Sequence, residues 1–500
     1  MKRKELQNYA VIMFIAFCFL AICSRSSFIY PCNNWDDSNS YFTMGKVMMN
    51  GGVIYRDAFD QKGPLLYFIY GLGYLMSNTT FAGVFVLEVV ALAVTLLAEY
   101  KLLRLYVSHT ISMLMLPIGA MVITASKSFY WGGSAEEFCL PLLAWGLYYS
   151  VKYFKEVYPK QISWKYVLLF GCLAGCIMLI KFTLLGLYFA WMAMIAVANL
   201  NSKNWKSSIK YCLMFLGGMA LPVIPWLLYF GINHALDDWY HAYIYCNVFL
   251  YSDIYEGSMF SLNKIYILAK ILYWLIWDNF VYFVFIILGF FGILFHKKFR
   301  WYEKINVYMM FGFLFLGIYI GGTSLFYYSL PLAIFSVFGL LMVGEIVELM
   351  LSQFYIEDIF RKFLGVFIIV GYIGVMVFTW NMSMNTEFSR QKKEEFYLYK
   401  FREVVLQEEN PTLLNISCLD AGLYTLADIM PNCRYFQSNA VHGFDEVREE
   451  QLRYIREKKV DFILARDFYP EEIGQYYELI MEEKYGYREQ DFVYYLFKRK

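Results

Sequence analysis

The chain has 500 residues, 59% hydrophobic and 21% aromatic, with a net charge of +1. Its mean hydropathy is +0.44. This balance excludes an ordinary soluble globule, and the absence of a basic excess argues against a nucleic-acid partner.

The first apolar run, Tyr9 to Cys23, follows "MKRKELQN" and has no clean small-x-small cleavage site after it. It reads as a retained signal anchor with a cytoplasmic N-terminus. Eleven spans are expected, at 8–25, 79–101, 109–128, 136–152, 165–180, 182–200, 209–231, 276–296, 304–321, 327–349 and 363–381. Lipid offers backbone groups no partners, so each span should be an α-helix. Basic residues cluster at Lys101 and Arg104, from Lys152 to Lys165, from Lys203 to Lys210, from Lys297 to Lys304, and at Arg361 and Lys362. All fall on the side of the N-terminal Lys2-Arg3-Lys4, the pattern of an integral protein of the plasma membrane.

This parity requires that Pro64 to Met76, "PLLYFIYGLGYLM", does not cross. It is short and carries two glycines, so it is expected as an interfacial or re-entrant helix on the outer face. Asn263 to Trp277, with Lys270 among aromatics, suits an amphipathic helix in the headgroup zone. The membrane domain is then 1–381, with its first outer loop at 26–78. Residues 382–500 are richer in charge and lie outside after eleven crossings. There "LLNISCLD", "KVDFILARD" and "DFVYYLFKRK" read as strands, and "FDEVREEQLRYIREKK" and "EEIGQYYELIMEEKYG" as helices, an extracytoplasmic α/β domain.

Charged residues collect at the outer face. Asp36 and Asp37 lie just beyond the first span, at the start of a helix over Ser38 to Asn50 that Gly51-Gly52 ends. A helix cap explains one acid there, not two. Arg56, Asp57, Asp60 and Lys62 follow in the same loop. Glu136 and Glu137 open the fourth span, with Ser134 as a competing cap. Ionisable residues at membrane depth usually face a cavity or a site. Lys181, between two spans, is either a snorkelling lysine or a phosphate contact. Carboxylates suit a general base or a metal, and lysines at the bilayer surface suit a lipid phosphate.

His234 and His241 flank Asp237 and Asp238. Asp237, Asp238 and His241 are a candidate acceptor or cation site, set against a plain solvated aromatic loop. The ten cysteines form no metal pattern. Cys172 and Cys176 should pack within a span, and a disulfide among Cys32, Cys246, Cys418 and Cys433 is left open. No nucleotide-binding glycine motif occurs, which suits a lipid-linked donor. No cofactor is demanded, and a divalent cation is left open.

"DDSNSYFTMGKVMMNGG…YRDAFDQKGPLLYFI" resembles the first outer loop of GT-C glycosyltransferases, in the branch of dolichyl-phosphate-mannose protein mannosyltransferases and lipid A aminoarabinose transferases. Asp36-Asp37 match the family's acidic pair, Tyr41 its aromatic, and Lys62-Gly63-Pro64-Leu65 its Lys-Pro motif. Glu136-Glu137 match a second acidic site, "LIKFTLLG" a later lysine motif, and "FYYSLPLAIF" a Tyr-Tyr-Leu-Leu-Pro segment. Gln61 stands where many relatives carry an acid, and "FYYSLP" lacks the basic residue that often precedes it.

The resemblance implies inverting transfer from a polyprenyl-phosphate sugar to an extracytoplasmic glycan or protein acceptor. Asp36, with Asp37 beside it, would be the base. Lys62 and Lys181 would hold the carrier phosphate, and Glu136 or Glu137 would support acceptor, base or cation. Three rival readings share parts of this pattern: a lipid-linked-glycan transporter or flippase, a polysaccharide polymerase or ligase, and a non-catalytic receptor.

Overall fold

The structure, a computed structural model, describes residues 2–201, 205–250, 262–321, 324–353, 358–438, 445–487 and 490–500. In chain order its helices are α1 (Lys2–Cys23), α2 (Asp36–Met49), α3 (Pro64–Met76), α4 (Ala82–Leu103), α5 (His109–Thr124), α6 (Ala135–Lys152), α7 (Trp164–Lys181), α8 (Gly186–Asn201), α9 (Trp205–Ile232) and α10 (Leu236–Trp239). There follow α11 (Leu262–Asp278), α12 (Phe280–Phe295), α13 (Trp301–Tyr319), α14 (Val337–Gln353), α15 (Asp358–Met382) and α16 (Tyr397–Val405). The C-terminal part holds β1 (Leu413–Ile416), α17 (Leu423–Leu426), α18 (Asp445–Arg456), β2 (Phe462–Arg466), α19 (Ile473–Tyr476), β3 (Tyr477–Tyr487) and β4 (Gln490–Arg499).

Each of the eleven expected spans falls on a helix. Glu5–Cys23, Ala82–Leu103 and Trp205–Ile232 are each long and apolar enough to cross a bilayer in one piece. The chain divides into two compact units. One comprises Met1–Ser24, Glu88–Pro225 and Glu256–Thr386; the other comprises Arg25–Leu87, Trp226–Tyr255 and Glu387–Lys500.

The first unit is a helical bundle. Phe170 of α7 stacks on Trp191 of α8 with centroids 3.7 Å apart, so the two helices fold back on each other around Lys181. The "GCLAG" stretch brings α7 against α9. A Cβ on Gly171 would sit 2.3 Å from the Phe215 carbonyl oxygen, and one on Gly175 would sit 2.4 Å from that of Met219. Small residues at this spacing let backbones touch where lipid supplies no hydrophobic drive. Cys172, beside the first of these glycines, is half-buried. Leu213, Leu216, Leu221, Ile287 and Phe291 are exposed, an apolar surface suited to lipid. α11 and α12 meet at 111°, which separates the amphipathic 263–277 segment from the span after it. One expected span differs in kind: Phe326–Ser336 is a 3-10 helix holding Pro331, and the α-helix begins only at Val337. Proline removes a backbone donor and clashes with the preceding turn.

In the second unit α2 packs on α3. A Cβ on Gly45 would lie 2.5 Å from the Gly71 nitrogen, so the helices touch backbone to backbone. α3 spans the expected residues, with Pro64 at its first position, where a missing N–H costs nothing. The C-terminal part forms a four-stranded sheet of order β1-β2-β4-β3, with β1 parallel to β2 and the remaining pairs antiparallel. Three expected strands and the helix over 445–456 are present. "EEIGQYYELIMEEKYG" is not a helix: beyond a single turn at Ile473–Tyr476 it is β3, paired along its length with β4. Its glutamates favour a helix only weakly, and the ladder to β4 overrides that preference. All ten cysteines are free thiols, so the disulfide left open by the sequence does not form.

Candidate active site

The second unit carries the first-loop acids. Trp35 precedes α2 in an extended conformation and contributes no side-chain cap. Asn39 instead ties down the entry, its Nδ2 donating to the carbonyls of Asn33 and Trp35 at 2.9 and 3.0 Å. The helix therefore starts two residues earlier than expected, with Asp36 and Asp37 inside its first turn, where a negative charge complements the dipole. Gly51, at φ 87°, ends it in the left-handed conformation that glycine adopts freely.

Successive helical residues point about 100° apart, and the two acids part company. Asp36 Oδ2 accepts from Arg466 Nη1, at the end of β2, at 2.6 Å. Burial pushes the Asp36 carboxyl up and Arg466 pulls it down, while the Asp37 charge adds to the rise. Asp37 accepts from the Tyr41 hydroxyl at 3.3 Å. It also acts on Asp60, whose carboxyl is raised first by burial, lowered by Lys62 and raised by Asp37. Asp36 thus faces the sheet, and Asp37 faces the loop that carries Lys62.

That loop is built around Lys62. The Tyr67 hydroxyl accepts the Lys62 N–H at 2.8 Å and donates to Asp60 Oδ2 at 2.8 Å. The Tyr55 hydroxyl donates to the Lys62 carbonyl at 2.6 Å. Asn247 donates to the Gln61 carbonyl at 2.7 Å. Two tyrosines therefore clamp the peptide on either side of Lys62 just before Pro64 starts α3. Asp57 is occupied elsewhere, pairing with Arg56 at 2.8 Å.

The rest of α2 is polar yet buried, because it packs on the C-terminal part through a hydrogen-bonded network. Thr43 donates to Asp420 Oδ2 at 2.6 Å, and Ser40 to Gln437 Oε1 at 2.6 Å. The Lys46 ammonium donates to the carbonyls of Tyr424 and Ile429 and pairs with Asp428 at 3.1 Å. Burial raises the Asp420 carboxyl to about 6, against bonds from Thr43 and the Gly422 N–H. Because the folded state holds this proton more tightly than the unfolded chain does, its contribution is greatest below about pH 4 and is lost as pH rises through 6. We expect a loss of roughly 3 kcal/mol across that window. Melting of the full chain in detergent between pH 4 and 7 checks this, because Asp420→Asn should flatten the slope.

The first unit carries the second acidic pair and Lys181. Gly132 and Gly133, both at positive φ, lead into α6. Ser134 Oγ accepts the Glu137 N–H at 3.0 Å, and Glu137 Oε2 accepts the Gly133 N–H at 2.8 Å. Ser134 and Glu137 thus share the helix start in a capping-box-like exchange. Glu136 turns elsewhere and forms a buried ion pair with Lys181, the last residue of α7. The Lys181 ammonium also lies 3.5 Å from the centroid of the Tyr328 ring, in the "FYYSLP" segment. The structure therefore brings Glu136, Lys181 and Tyr328 together and sets Glu137 apart as a cap.

Two charged residues near these clusters carry weaker signals in the sequence. Lys127 pairs with Asp278 at 2.7 Å and lies over the Phe326 ring. Arg466 has one legible signal, a charge closing an apolar strand, at the end of a sheet where ligand-facing groups gather.

The Asp237, Asp238 and His241 group does not assemble as a cation site. Asp238 is paired with Arg434 at 3.0 Å, and the exposed Asp237 pairs with His241 at 3.5 Å. Among the described residues no three His, Cys, Asp or Glu side chains converge on a common point.

Superposition on solved structures identifies the architecture. ArnT from Cupriavidus metallidurans bound to undecaprenyl phosphate matches with a TM-score of 0.60 at 11% identity, over 99% of this chain and 98% of that one. Its apo form gives 0.62 at 10% identity over the same shares. The chain has the GT-C fold. A family model, dolichyl-phosphate-mannose-protein mannosyltransferase, matches residues 61–229. The match takes in Lys62, Glu136, Glu137 and Lys181 and starts after the first acidic pair. The oligosaccharyltransferase AglB from Archaeoglobus fulgidus, in complex with an inhibitory peptide and a dolichol-phosphate, aligns at a TM-score of 0.46 and 12% identity, over 92% of this chain and 69% of that one. A search of the curated proteins returned no match. The GT-C fold and the family match agree with the resemblance carried by the first-loop and later motifs, and with an integral membrane protein.

Proposed function

We propose that the chain is a membrane glycosyltransferase that moves a sugar from a polyprenyl-phosphate donor to an acceptor hydroxyl, with inversion. The observation that carries the reading is the grouping of Asp37, Asp60 and Lys62, in which Asp37 and Lys62 both act on the Asp60 carboxyl and the Lys62 backbone is held by Tyr55 and Tyr67. Asp37 takes the acceptor proton as the acceptor oxygen attacks the anomeric carbon. The bond from that carbon to the carrier oxygen breaks on the opposite side, and its electron pair leaves on the phosphate. Lysine ammonium groups stabilise that charge, a role we give to Lys62 and Lys181. Asp36, held by Arg466, orients the first turn of α2, and Glu136 holds the Lys181 chain in place. On this reading the N-terminus is cytoplasmic, the first loop and residues 382–500 are extracytoplasmic, and the acceptor is a glycan or a protein.

The test uses the full chain in liposomes, supplied with synthetic polyprenyl-phosphate sugars, with products read by mass spectrometry. Lys181→Met should raise the donor KM at least about tenfold, since a charge-assisted hydrogen bond is worth roughly 1.5–3 kcal/mol. Because this change leaves Glu136 buried alone, the Glu136→Gln/Lys181→Met double variant serves as the folded control and should keep the high KM. Translocation of labelled lipid with no transfer from any such donor would replace this reading with a transporter.

A further inference from the structure

β1 and β2 are parallel neighbours, and both are followed by a non-glycine residue in the left-handed region, Ser417 at φ 59° and Asp467 at φ 63°. Such conformations are uncommon and concentrate where a chain presents side chains for a purpose. Each is held in place. The Ser417 N–H donates to Ser438 Oγ at 2.8 Å, and Asp467 exchanges bonds with the backbone of Val493 at 2.8 and 3.0 Å.

Between these turns and α18 lies a cavity of about 480 Å³, within the usual range for small-ligand pockets. It opens at the carboxyl ends of the parallel strands, where open α/β sheets bind their ligands. Ser417, Ser438 and Gln451 supply its hydroxyl and amide groups, and Arg448 supplies a cation. Gln451 is buried and fixed: its Nε2 donates to the carbonyls of Asn415 and Tyr435, which turns Oε1 toward Ser438 at 3.4 Å. Two adjacent aromatics line the wall. Tyr469 packs edge-on to Tyr495 and Phe497, while Phe468 is 69% exposed.

We propose that this cavity binds a pyranose ring. An exposed flat ring suits the apolar C–H face of a sugar, and fixed hydroxyl and amide groups beside it suit the sugar hydroxyls. Arg448 adds a contact for a carboxylate or phosphate substituent. Resting on the function proposed above, the bound ring is part of the saccharide acceptor, held by the C-terminal sheet.

Saturation-transfer NMR on the full chain in nanodiscs tests this with methyl mannoside, methyl galactoside, methyl N-acetylglucosaminide and methyl glucuronide. Saturation should reach the ring C–H protons of at least one glycoside. Phe468→Ala, at an exposed position that does not endanger folding, should weaken that binding about five- to tenfold. Arg448→Gln should weaken the glucuronide selectively. The proposal fails if no glycoside receives saturation at millimolar concentration, or if Phe468→Ala and Ser438→Leu both bind as the parent does. Glycoside binding without any sugar transfer would keep this site and remove the transferase reading. Transfer without glycoside binding would do the reverse.

Discussion

Asp37→Asn should lower the transfer rate roughly 10²–10⁴-fold, the range supplied by a general base. The change keeps shape and keeps an acceptor for the Tyr41 hydroxyl, so α2 and its packing on α3 should survive. What disappears is a lone pair basic enough to take the acceptor proton. Donor KM should change less than the rate, because the Lys62 backbone is held by Tyr55 and Tyr67. Asp36→Asn is the informative companion. The Asp36 side chain is 18% exposed and shares its charge with Arg466, so its loss should reduce thermal stability as well as rate, and Arg466→Gln should mimic it. Steady-state kinetics with melting curves on the three variants separates base from strut. A rate for Asp37→Asn equal to the parent's would remove Asp37 from the chemistry.

Lys46→Met should destabilise the second unit by about 2–4 kcal/mol. The Lys46 side chain is fully buried in α2, and its ammonium joins two carbonyls and Asp428 across to residues 424–429. Burial lowers its pKa while Asp428 raises it, so the charge depends on this partner. Methionine fills a similar volume but removes the ammonium donor from the Ile429 carbonyl and from the Tyr424 carbonyl, which keeps only the Ile429 N–H at 3.0 Å. Asp428 is 30% exposed and can recruit water, which places the cost below that of a fully buried pair. A drop in the melting temperature of the full chain checks the value, and Asp428→Asn should cost less. An unshifted melting curve for Lys46→Met would mean that this network does not hold α2 in place.

The legible parts of this protein rest on short-range physics. Apolar length and positive loops mark where the helices lie. The breaks at Gly51 and Pro64 bound α2 and α3 almost to the residue, because a left-handed turn and a missing N–H are local properties. The motif residues Lys62, Glu136 and Lys181 stand out because charge is costly beside apolar helices. The division of labour within each acidic pair is not legible. Adjacent residues on a helix face different neighbours, and only the arrival of Arg466 or Lys181 from far along the chain tells the two apart. β3 escapes a local reading for the same reason, since its hydrogen bonds belong to β4.

By itself, then, the order of residues determined a helical membrane protein with acids and lysines gathered in particular loops and a small α/β part at its end. Tertiary structure alone decided which acid is anchored by which cation, that Glu137 caps while Glu136 holds Lys181, and that the first-loop helix is buried through polar contacts with the C-terminal residues. Helix and turn formation depend on neighbours a few residues away, whereas pairing of charges depends on partners tens to hundreds of residues distant.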